Sequence, residues 1–453
     1  MLPELVLPAG SLEKLQFACA YGADAVYAGM PQFSLRARTN TFTADQLAEG
    51  IAYAHARGVR VYLTLNIFAR NVRIQPSLDA LRMLLPLKPD AVIMSDPGLL
   101  MLARQEFPDL ALHLSTQANP LNWAAVQFWK EYGIKRVILP RELSIPEIQE
   151  IHARVPDMEL EVFVHGAMCM AYSGRCLLSS YLTHREANSG VCANSCRWQY
   201  RMWEKHSEQD LRRTPLIPPV NGGSFAEVRT VSSPRLRGEK GGWGVSPAEY
   251  ALEEMTRPGE FFPIDENEHG TYILNSRDLC AVEYLQDLKN AGVTGFKVEG
   301  RTKSVYYLAH IGRAYRKVID DLRAGKPFDP AVLTDIHATA TRGLTPGFLI
   351  RLPEDARQNY ESAEPAYSTH KFGGVVRQYD AEKGLAAIEV KNRLNLGDTV
   401  EFVSPQEIFA QPVERMYDLA LNPLTAAHGG GKNIWLATER TIEPFTILRI
   451  KEV

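Results

Sequence analysis

Short hydrophobic runs alternate with helical patterns along the first 166 residues of the chain. Runs such as "ELVLPAG" and "RVYLTLNIF" are rich in β-branched residues, and apolar residues at helical spacing follow each run, as in "SLEKLQFACAYG". Seven such strands precede residue 167, and an eighth, "VTGFKVEGR", follows a long interposed segment. Continuous hydrophobic strands are typical of a parallel sheet that is buried on both faces. The pattern predicts an α/β fold, a (β/α)8 barrel of the TIM type. A doubly wound open sheet remains the alternative, because periodicity does not show closure.

Residues that can cap helices stand immediately before several of the helical patterns. Their side-chain oxygens can accept hydrogen bonds from the free N–H groups of a first helical turn. The predicted N-caps are Ser11, Thr43, Asn122 and Ser144.

The pattern also divides the chain into parts. Residues 1–345 form the predicted barrel, which is interrupted by an insertion at 167–265. The insertion carries a group of cysteines and then a stretch rich in Pro, Gly and Arg, which we expect to be a mobile loop. A linker at 346–368 leads to residues 369–453, where short strands such as "FGGVVRQYD" and "LAAIEVKN" are separated by turn residues. This last part predicts a small antiparallel β-barrel or sandwich.

Composition narrows the class of protein. The chain is 45% hydrophobic and 23% charged, with a formal net charge of −3, which is ordinary for a soluble globular protein. It contains no apolar stretch near the roughly 18 residues that a membrane span needs, and its start lacks the pattern of a secretion signal. We therefore expect a cytoplasmic protein with no membrane partner. In that compartment clustered cysteines favour metal or redox chemistry over disulfides.

Four of the six cysteines fall within 28 positions, immediately after the seventh predicted strand. They are Cys169, Cys176, Cys192 and Cys196. TIM-type barrels build their active sites at this end of the strands. Four thiolates can hold either a tetrahedral zinc ion or an iron–sulfur cluster. The spacing lacks the short Cys-x2-Cys knuckles of zinc ribbons and therefore favours a cluster; zinc, or unrelated buried thiols, remain the alternatives.

Polar side chains occupy most of the predicted strand ends. Because arginine binds carboxylates through a planar fork, the arginines among them are candidate contacts for an anionic group. The candidate substrate-binding residues are Arg36, Arg38, Asn66, Gln117, Arg141 and Arg301. The candidate catalytic residues are His165, Lys297 and Glu299, of which the histidine could transfer a proton near neutral pH. A structural ion pair or a buried histidine is the alternative for each.

The stretch "EVFVHGAMCMAYSGRCLLSS" (residues 161–180) resembles the signature of the collagenase-like peptidase family U32. The resemblance extends from "LPAG" and "GADAVYAG" through "MSDPGL" to "KVEGRTKS", and the layout is similar to the bacterial tRNA-modifying branch of that family. It implies a 4Fe–4S cluster on Cys169, Cys176, Cys192 and Cys196. The resemblance also implies oxygen-independent hydroxylation of the wobble uridine to 5-hydroxyuridine. It implies prephenate, a small dicarboxylate, as co-substrate and the tRNA anticodon loop as partner.

Two other functions stay open at this point. The chain could be a metal-stapled scaffold that binds tRNA, without turnover of its own and with a partner protein that the sequence does not identify. Peptidase activity has little support, because the sequence contains neither H-E-x-x-H nor G-x-S-x-G. For RNA contacts, one candidate is the basic helix after Ser304, with Tyr306 and Tyr307 stacking on bases. The Arg-rich insertion and the small β-domain are equal alternatives.

Overall fold

The structure is a computed structural model, in which a (β/α)8 barrel is followed by a domain of antiparallel strands. It describes residues 2–30, 34, 41–169, 171–176, 178, 179, 192, 196, 250–253, 261–267, 270–272, 277–340, 343–350 and 369–451. Arg36, Arg38 and the predicted mobile part of the insertion up to residue 249 lie outside the described residues, as does most of the predicted linker.

The described strands of the first part are β1 (Glu4–Pro8), β2 (Ala25–Ala28), β3 (Arg60–Leu65), β4 (Ala91–Met94), β5 (Leu112–Leu114), β6 (Arg136–Ile138), β7 (Glu159–Gly166), β8 (Tyr250–Glu253), β9 (Phe261–Asn267), β10 (Gly270–Tyr272), β11 (Asp278–Cys280), β12 (Val293–Val298) and β13 (Leu344–Thr345). The helices are α1 (Leu12–Ala20), α2 (Ala44–His55), α3 (Asn71–Leu84), α4 (Pro97–Glu106), α5 (Trp123–Glu131), α6 (Ile145–Arg154), α7 (Leu285–Asn290), α8 (Val305–Arg323) and α9 (Val332–His337).

Eight parallel strands close on themselves. Strands β1 to β7 pair in chain order, and β12 pairs in parallel with both β7 and β1. The predicted barrel is therefore confirmed and the open sheet is excluded. The barrel strands are almost entirely buried, as expected for strands covered by helices. The small strands β8, β9 and β10 form a separate antiparallel sheet, and β11 pairs with the end of β7.

The helix starts follow the predicted caps. The side chain of Ser11 accepts a hydrogen bond from the N–H of Lys14, and Thr43 and Ser144 each form a capping box. Asn122 accepts from the N–H of Ala125, 2.9 Å away. These caps set where each helix begins after its strand. None of the described helices is long and apolar enough to cross a membrane.

The C-terminal part is an antiparallel sheet with a separate two-stranded ladder. Its strands are β14 (His370–Asp380), β15 (Leu385–Val390), β16 (Leu394–Asn395), β17 (Thr399–Val403), β18 (Ile408–Pro412), β19 (Met416–Tyr417), β20 (Pro423–Leu424), β21 (Ala426–Ala427), β22 (Asn433–Ala437) and β23 (Ile447–Lys451). Eight of them form one sheet in the order β18, β17, β23, β14, β15, β22, β19, β20. This confirms the predicted all-β character of the segment.

The two parts pack on each other through α1, α8 and α9. The hydroxyl of Tyr21 lies 2.9 Å from the carbonyl oxygen of Val403, and Arg449 donates to Asp335 at 3.0 Å. Tyr306 stacks on Phe372 with ring centroids 4.9 Å apart. Tyr306 and Tyr307 are only 7% and 6% exposed, so the prediction that they stack on RNA bases was wrong: the helix turns them inward.

Candidate active site at the carboxyl-terminal end of the barrel

The ends of β3, β4 and β5 carry polar side chains that are bonded to one another. The side-chain amide of Asn66 donates to the hydroxyl of Ser115 at 3.3 Å, and the hydroxyl of Ser95 donates to the carbonyl of Asn66 at 3.1 Å. Asp96 accepts from the N–H of Ala69 at 3.1 Å. Because the strands are parallel, their carboxyl ends meet at one rim. Asn66 lies at this rim, where the sequence predicts it.

The chain that follows β7 crosses this rim. We call residues 169 and 171–176 the cysteine loop. The carboxylate of Glu142 accepts from the N–H of Ser173 at 2.8 Å, and the Ser173 hydroxyl lies 3.3 Å from the same group. Gly174 has a φ of +73°, and a Cβ on it would lie 2.1 Å from the carbonyl oxygen of Gln117. The loop is thus fixed against the ends of β5 and β6, and the predicted residue Gln117 supports it through its backbone.

Arg141 lies beside the cysteine loop. Its guanidinium carbon stands 3.7 Å above the centre of the Phe163 ring, a cation–π arrangement that holds the group flat. Its Nε atom is buried and has no hydrogen-bond partner among the described residues. An unsatisfied buried donor is costly, so a carboxylate that reached this atom would be bound favourably.

Arg301 and Glu299 follow the last barrel strand, β12. Arg301 is 5% exposed and donates through Nη1 to the hydroxyls of Thr64, at 2.7 Å, and Ser34. Glu299 is 8% exposed, and its backbone N–H donates to the carbonyl of His165 at 2.9 Å. Both side chains are therefore located at the predicted rim but are largely buried in it.

A cluster of charges fills the barrel interior beneath the rim. Glu161 is fully buried between Lys297, whose Nζ lies 2.6 Å from Oε1, and Arg136, whose Nη1 lies 3.1 Å from Oε2. Arg136 also donates to Glu4 at 2.7 Å. Burial would raise the pKa of Glu161, but the cations of Lys297 and Arg136 outweigh it and lower the pKa to about 2. Lys297, predicted to be catalytic, has Glu161 as its ion-pair partner, so its observed contacts are those of barrel packing.

His165 faces the helix layer and not the barrel interior. Between β7 and β12 the register shifts by one residue, so that Lys297 pairs with Phe163 but Val298 pairs with His165. This bulge interrupts the strand alternation and turns the imidazole toward α8. There its Nδ1 lies 3.2 Å from the hydroxyl of Tyr315. Burial lowers the pKa of His165 to about 3, so the ring is neutral at physiological pH. Its catalytic role stays a prediction.

None of the four cysteines of the motif, all of which the structure describes, forms a disulfide. Cys169 is exposed, while Cys176, Cys192 and Cys196 are partly buried. In the part of the chain that the structure describes, no three His, Cys, Asp or Glu side chains are grouped closely enough to hold a metal ion. The donor chemistry is that of an iron–sulfur or zinc site.

The fold and the rim can now be compared with known proteins. The family model described as peptidase family U32 matches residues 10–359, and that described as the peptidase family U32 C-terminal domain matches residues 368–449. The chain belongs to peptidase family U32. As a U32 protein it is 45% identical to the tRNA hydroxylation protein P of Haemophilus influenzae, over 97% of this chain and 94% of that protein.

Two further proteins similar to this chain have names of different kinds. The chain is 29% identical to the 23S rRNA 5-hydroxycytidine C2501 synthase of Escherichia coli, over 70% of this chain and 39% of that protein. It is 28% identical to the collagenase of Porphyromonas gingivalis, over 92% of this chain and 90% of that protein. The family name therefore does not decide between proteolysis and RNA modification.

Several residues of this U32 site were not found from the sequence. Glu161 occupies an interior position of β7. An acidic residue inside an otherwise apolar strand was the feature of the sequence that could have indicated a buried ion pair. The anchoring role of Glu142 was not predicted, because its bond to Ser173 joins residues 31 positions apart. Tyr172, which is 58% exposed in the cysteine loop, had no sequence signal.

Proposed function

We propose that this chain hydroxylates tRNA, at carbon 5 of the uridine in the wobble position. The observation that carries the proposal is the similarity to tRNA hydroxylation protein P along nearly the whole chain, including the C-terminal domain. The relative named as an rRNA 5-hydroxycytidine synthase supports hydroxylation at the same atom, carbon 5, of a pyrimidine ring. A wobble uridine is unpaired in the free anticodon loop, so it can reach a site at the end of a barrel at little cost.

The proposal includes a 4Fe–4S cluster on Cys169, Cys176, Cys192 and Cys196. Its support is chemical: the four cysteines follow β7 without forming a disulfide, and Cys169 and Cys176 are at the two ends of a loop fixed on the active-site face. Such a cluster, when bound, would supply electron-transfer or Lewis-acid chemistry at the rim. The protein's own part is to hold the loop through Glu142 and Gln117.

The proposal also includes prephenate as the oxygen-donating co-substrate, which makes the reaction independent of molecular oxygen. Prephenate carries two carboxylates. Arg141, held flat on Phe163 with a buried Nε that lacks a described partner, supports an anion contact beside the cysteine loop. Arg301 would provide the second cation, already oriented by the hydroxyls of Thr64 and Ser34.

The test is nucleoside analysis of tRNA from a bacterial strain that lacks its own related gene. We expect 5-hydroxyuridine to disappear in that strain and to return when this chain is expressed. Cys176→Ala should fail to restore it and should lack the iron and acid-labile sulfide that the wild-type protein contains after anaerobic purification. Normal 5-hydroxyuridine without the gene, or restoration by Cys176→Ala, would reject the proposal.

Peptidase activity is the second candidate, supported by the collagenase relative. The described contacts do not favour it, because His165 is buried against Tyr307 and Tyr315 while Cys169 is exposed. Cleavage of collagen peptides by the purified protein, abolished in Cys169→Ala, would establish it.

A further inference from the structure

The tip of the cysteine loop presents a large aromatic side chain to solvent. Tyr172 is 58% exposed, whereas the next residue, Ser173, is 9% exposed, and Met168 at the start of the loop is 7% exposed. The loop is therefore not loosely exposed as a whole. Tyr172 is the large aromatic side chain that it presents to solvent, next to a buried anchor.

Three contacts hold the backbone beneath Tyr172. The carbonyl of Tyr172 accepts from the N–H of Arg175 at 2.9 Å, which closes a turn. Ser173, the next residue, is bonded to Glu142 at 2.8 Å. Gly174 lies against the backbone of Gln117 so closely that no side chain would fit there. The backbone that carries the phenol ring therefore keeps its position without a ligand, so little backbone entropy is lost when a ligand stacks on the ring.

The neighbours of Tyr172 identify the kind of ligand. The side chain of Arg175 is exposed in the same turn, and the buried Nε of Arg141 lies beside the loop without a described partner. An exposed aromatic ring in the same turn as an exposed arginine is the arrangement that proteins use for unpaired nucleotides, in which the ring stacks on a base and the cation contacts a phosphate. A peptide substrate would not require that combination.

We infer that Tyr172 is a stacking platform for an unpaired base of the RNA substrate, and that Arg175 contacts the adjoining phosphate. This rests on the proposed function, since it assigns a base-contacting residue to the same rim. It also replaces the incorrect prediction that Tyr306 and Tyr307 stack on bases, because both are buried.

Binding of a short hairpin RNA, with an unmodified uridine at the wobble position of its loop, tests the inference without requiring turnover. Fluorescence anisotropy would compare the wild-type protein with Tyr172→Ala and Tyr172→Phe. Stacking of one base is worth about 1–3 kcal/mol, so Tyr172→Ala should weaken hairpin binding roughly 5- to 150-fold. Tyr172→Phe keeps the ring and should bind within about two-fold of wild type.

Two controls separate stacking from general damage. Phe128 is also an exposed aromatic, at 57%, but it lies near the end of α5, on the opposite face of the barrel, so Phe128→Ala should bind the hairpin normally. A fully paired RNA duplex offers no free base, so Tyr172→Ala should bind it as the wild type does. Arg175→Gln should weaken both RNAs and lower the salt dependence of binding, since it removes a phosphate contact.

Unchanged hairpin binding by Tyr172→Ala, or equal losses in Tyr172→Ala and Tyr172→Phe, would overturn the inference. Failure of the proposed function gives a different result: 5-hydroxyuridine would persist in the strain without the gene. A selective loss of hairpin binding in Tyr172→Ala would support the platform even then.

Discussion

Removal of the Glu161 carboxylate is expected to destabilise the barrel strongly. Glu161 is fully buried, and its two oxygens lie 2.6 Å from Lys297 Nζ and 3.1 Å from Arg136 Nη1. Glu161→Gln preserves the volume of the side chain but leaves the ammonium of Lys297, itself only 3% exposed, without its carboxylate. Removal of one partner from a buried ion pair typically costs about 3–5 kcal/mol of folding free energy.

The pKa of Glu161 gives a second value for the contribution of its carboxylate to the folding free energy. Burial would raise this pKa, but Lys297 and Arg136 lower it from 4.5 to about 2. One pKa unit corresponds to roughly 1.4 kcal/mol, so the ionised carboxylate contributes about 3 kcal/mol. Since the pKa is lower in the folded state than in the unfolded state, this contribution is complete above the unfolded value of 4.5 and is lost as the pH falls toward 2.

Urea-induced unfolding at neutral pH, followed by circular dichroism, measures the effect. Glu161→Gln and Lys297→Met should each lower the free energy of unfolding by about 3–5 kcal/mol. The double variant Glu161→Leu/Lys297→Met removes both charges and should lose much less than the sum of the single losses. As a matched control, Glu106→Gln breaks an exposed ion pair with Arg82 and should unfold like the wild type.

The reasoning would be refuted if Glu161→Gln lowered the free energy of unfolding by less than about 1 kcal/mol. It would also be refuted if the losses in the double variant were additive, because Glu161 and Lys297 would then not be coupled.

Three other expectations follow from contacts described above. Burial lowers the pKa of His165 to about 3, so as the pH falls below 6.5 this histidine takes up a proton in the unfolded chain before it does so in the folded one. The free energy of unfolding should therefore fall by about 1 kcal/mol through this residue between about pH 7 and pH 5.5. Urea titrations at the two pH values should show that His165→Phe removes this part of the pH dependence. Gly174→Ala places a methyl group 2.1 Å from the carbonyl oxygen of Gln117 at a φ of +73°, so it should displace the cysteine loop while the barrel still folds. The amount of 5-hydroxyuridine in complemented cells should fall by at least about ten-fold. Tyr21→Phe removes a buried hydroxyl that lies 2.9 Å from the carbonyl oxygen of Val403, so it should weaken packing between the barrel and the C-terminal domain by about 1–2 kcal/mol. Limited proteolysis of the segment between the two parts should then be faster.

Each of these has an outcome that contradicts it. An unchanged pH slope in His165→Phe would show that another group causes the acid sensitivity. Full 5-hydroxyuridine with Gly174→Ala would show that the loop position does not matter for the reaction. For Tyr21→Phe, the control is Tyr53→Phe, which changes a half-buried tyrosine on α2, and equal proteolysis of the two variants would place the domain contact elsewhere.

The sequence by itself determined the alternation of strands and helices, the helix starts and the β-rich C-terminal part, whereas closure of the strands into a barrel was decided by the pairing of β12 with both β7 and β1. Continuous hydrophobic strands, helical spacing and capping residues such as Ser11 and Asn122 are local patterns, and local patterns survive in a single sequence. It also placed Asn66, Arg141 and Arg301 at strand ends, because parallel strands bring their carboxyl ends to one rim.

Only the tertiary structure decided what these side chains contact. Lys297 pairs with Glu161 across 136 positions of sequence, and no local pattern specifies such a pair. His165 turns toward α8 because a one-residue bulge shifts the register of β7, whereas strict alternation would have directed it into the barrel. Tyr172 stays exposed because the residues next to it are fixed by Glu142 and Gln117, which come from two other strand ends. Side-chain environment is a property of the closed barrel, since it depends on register and on contacts between distant strands.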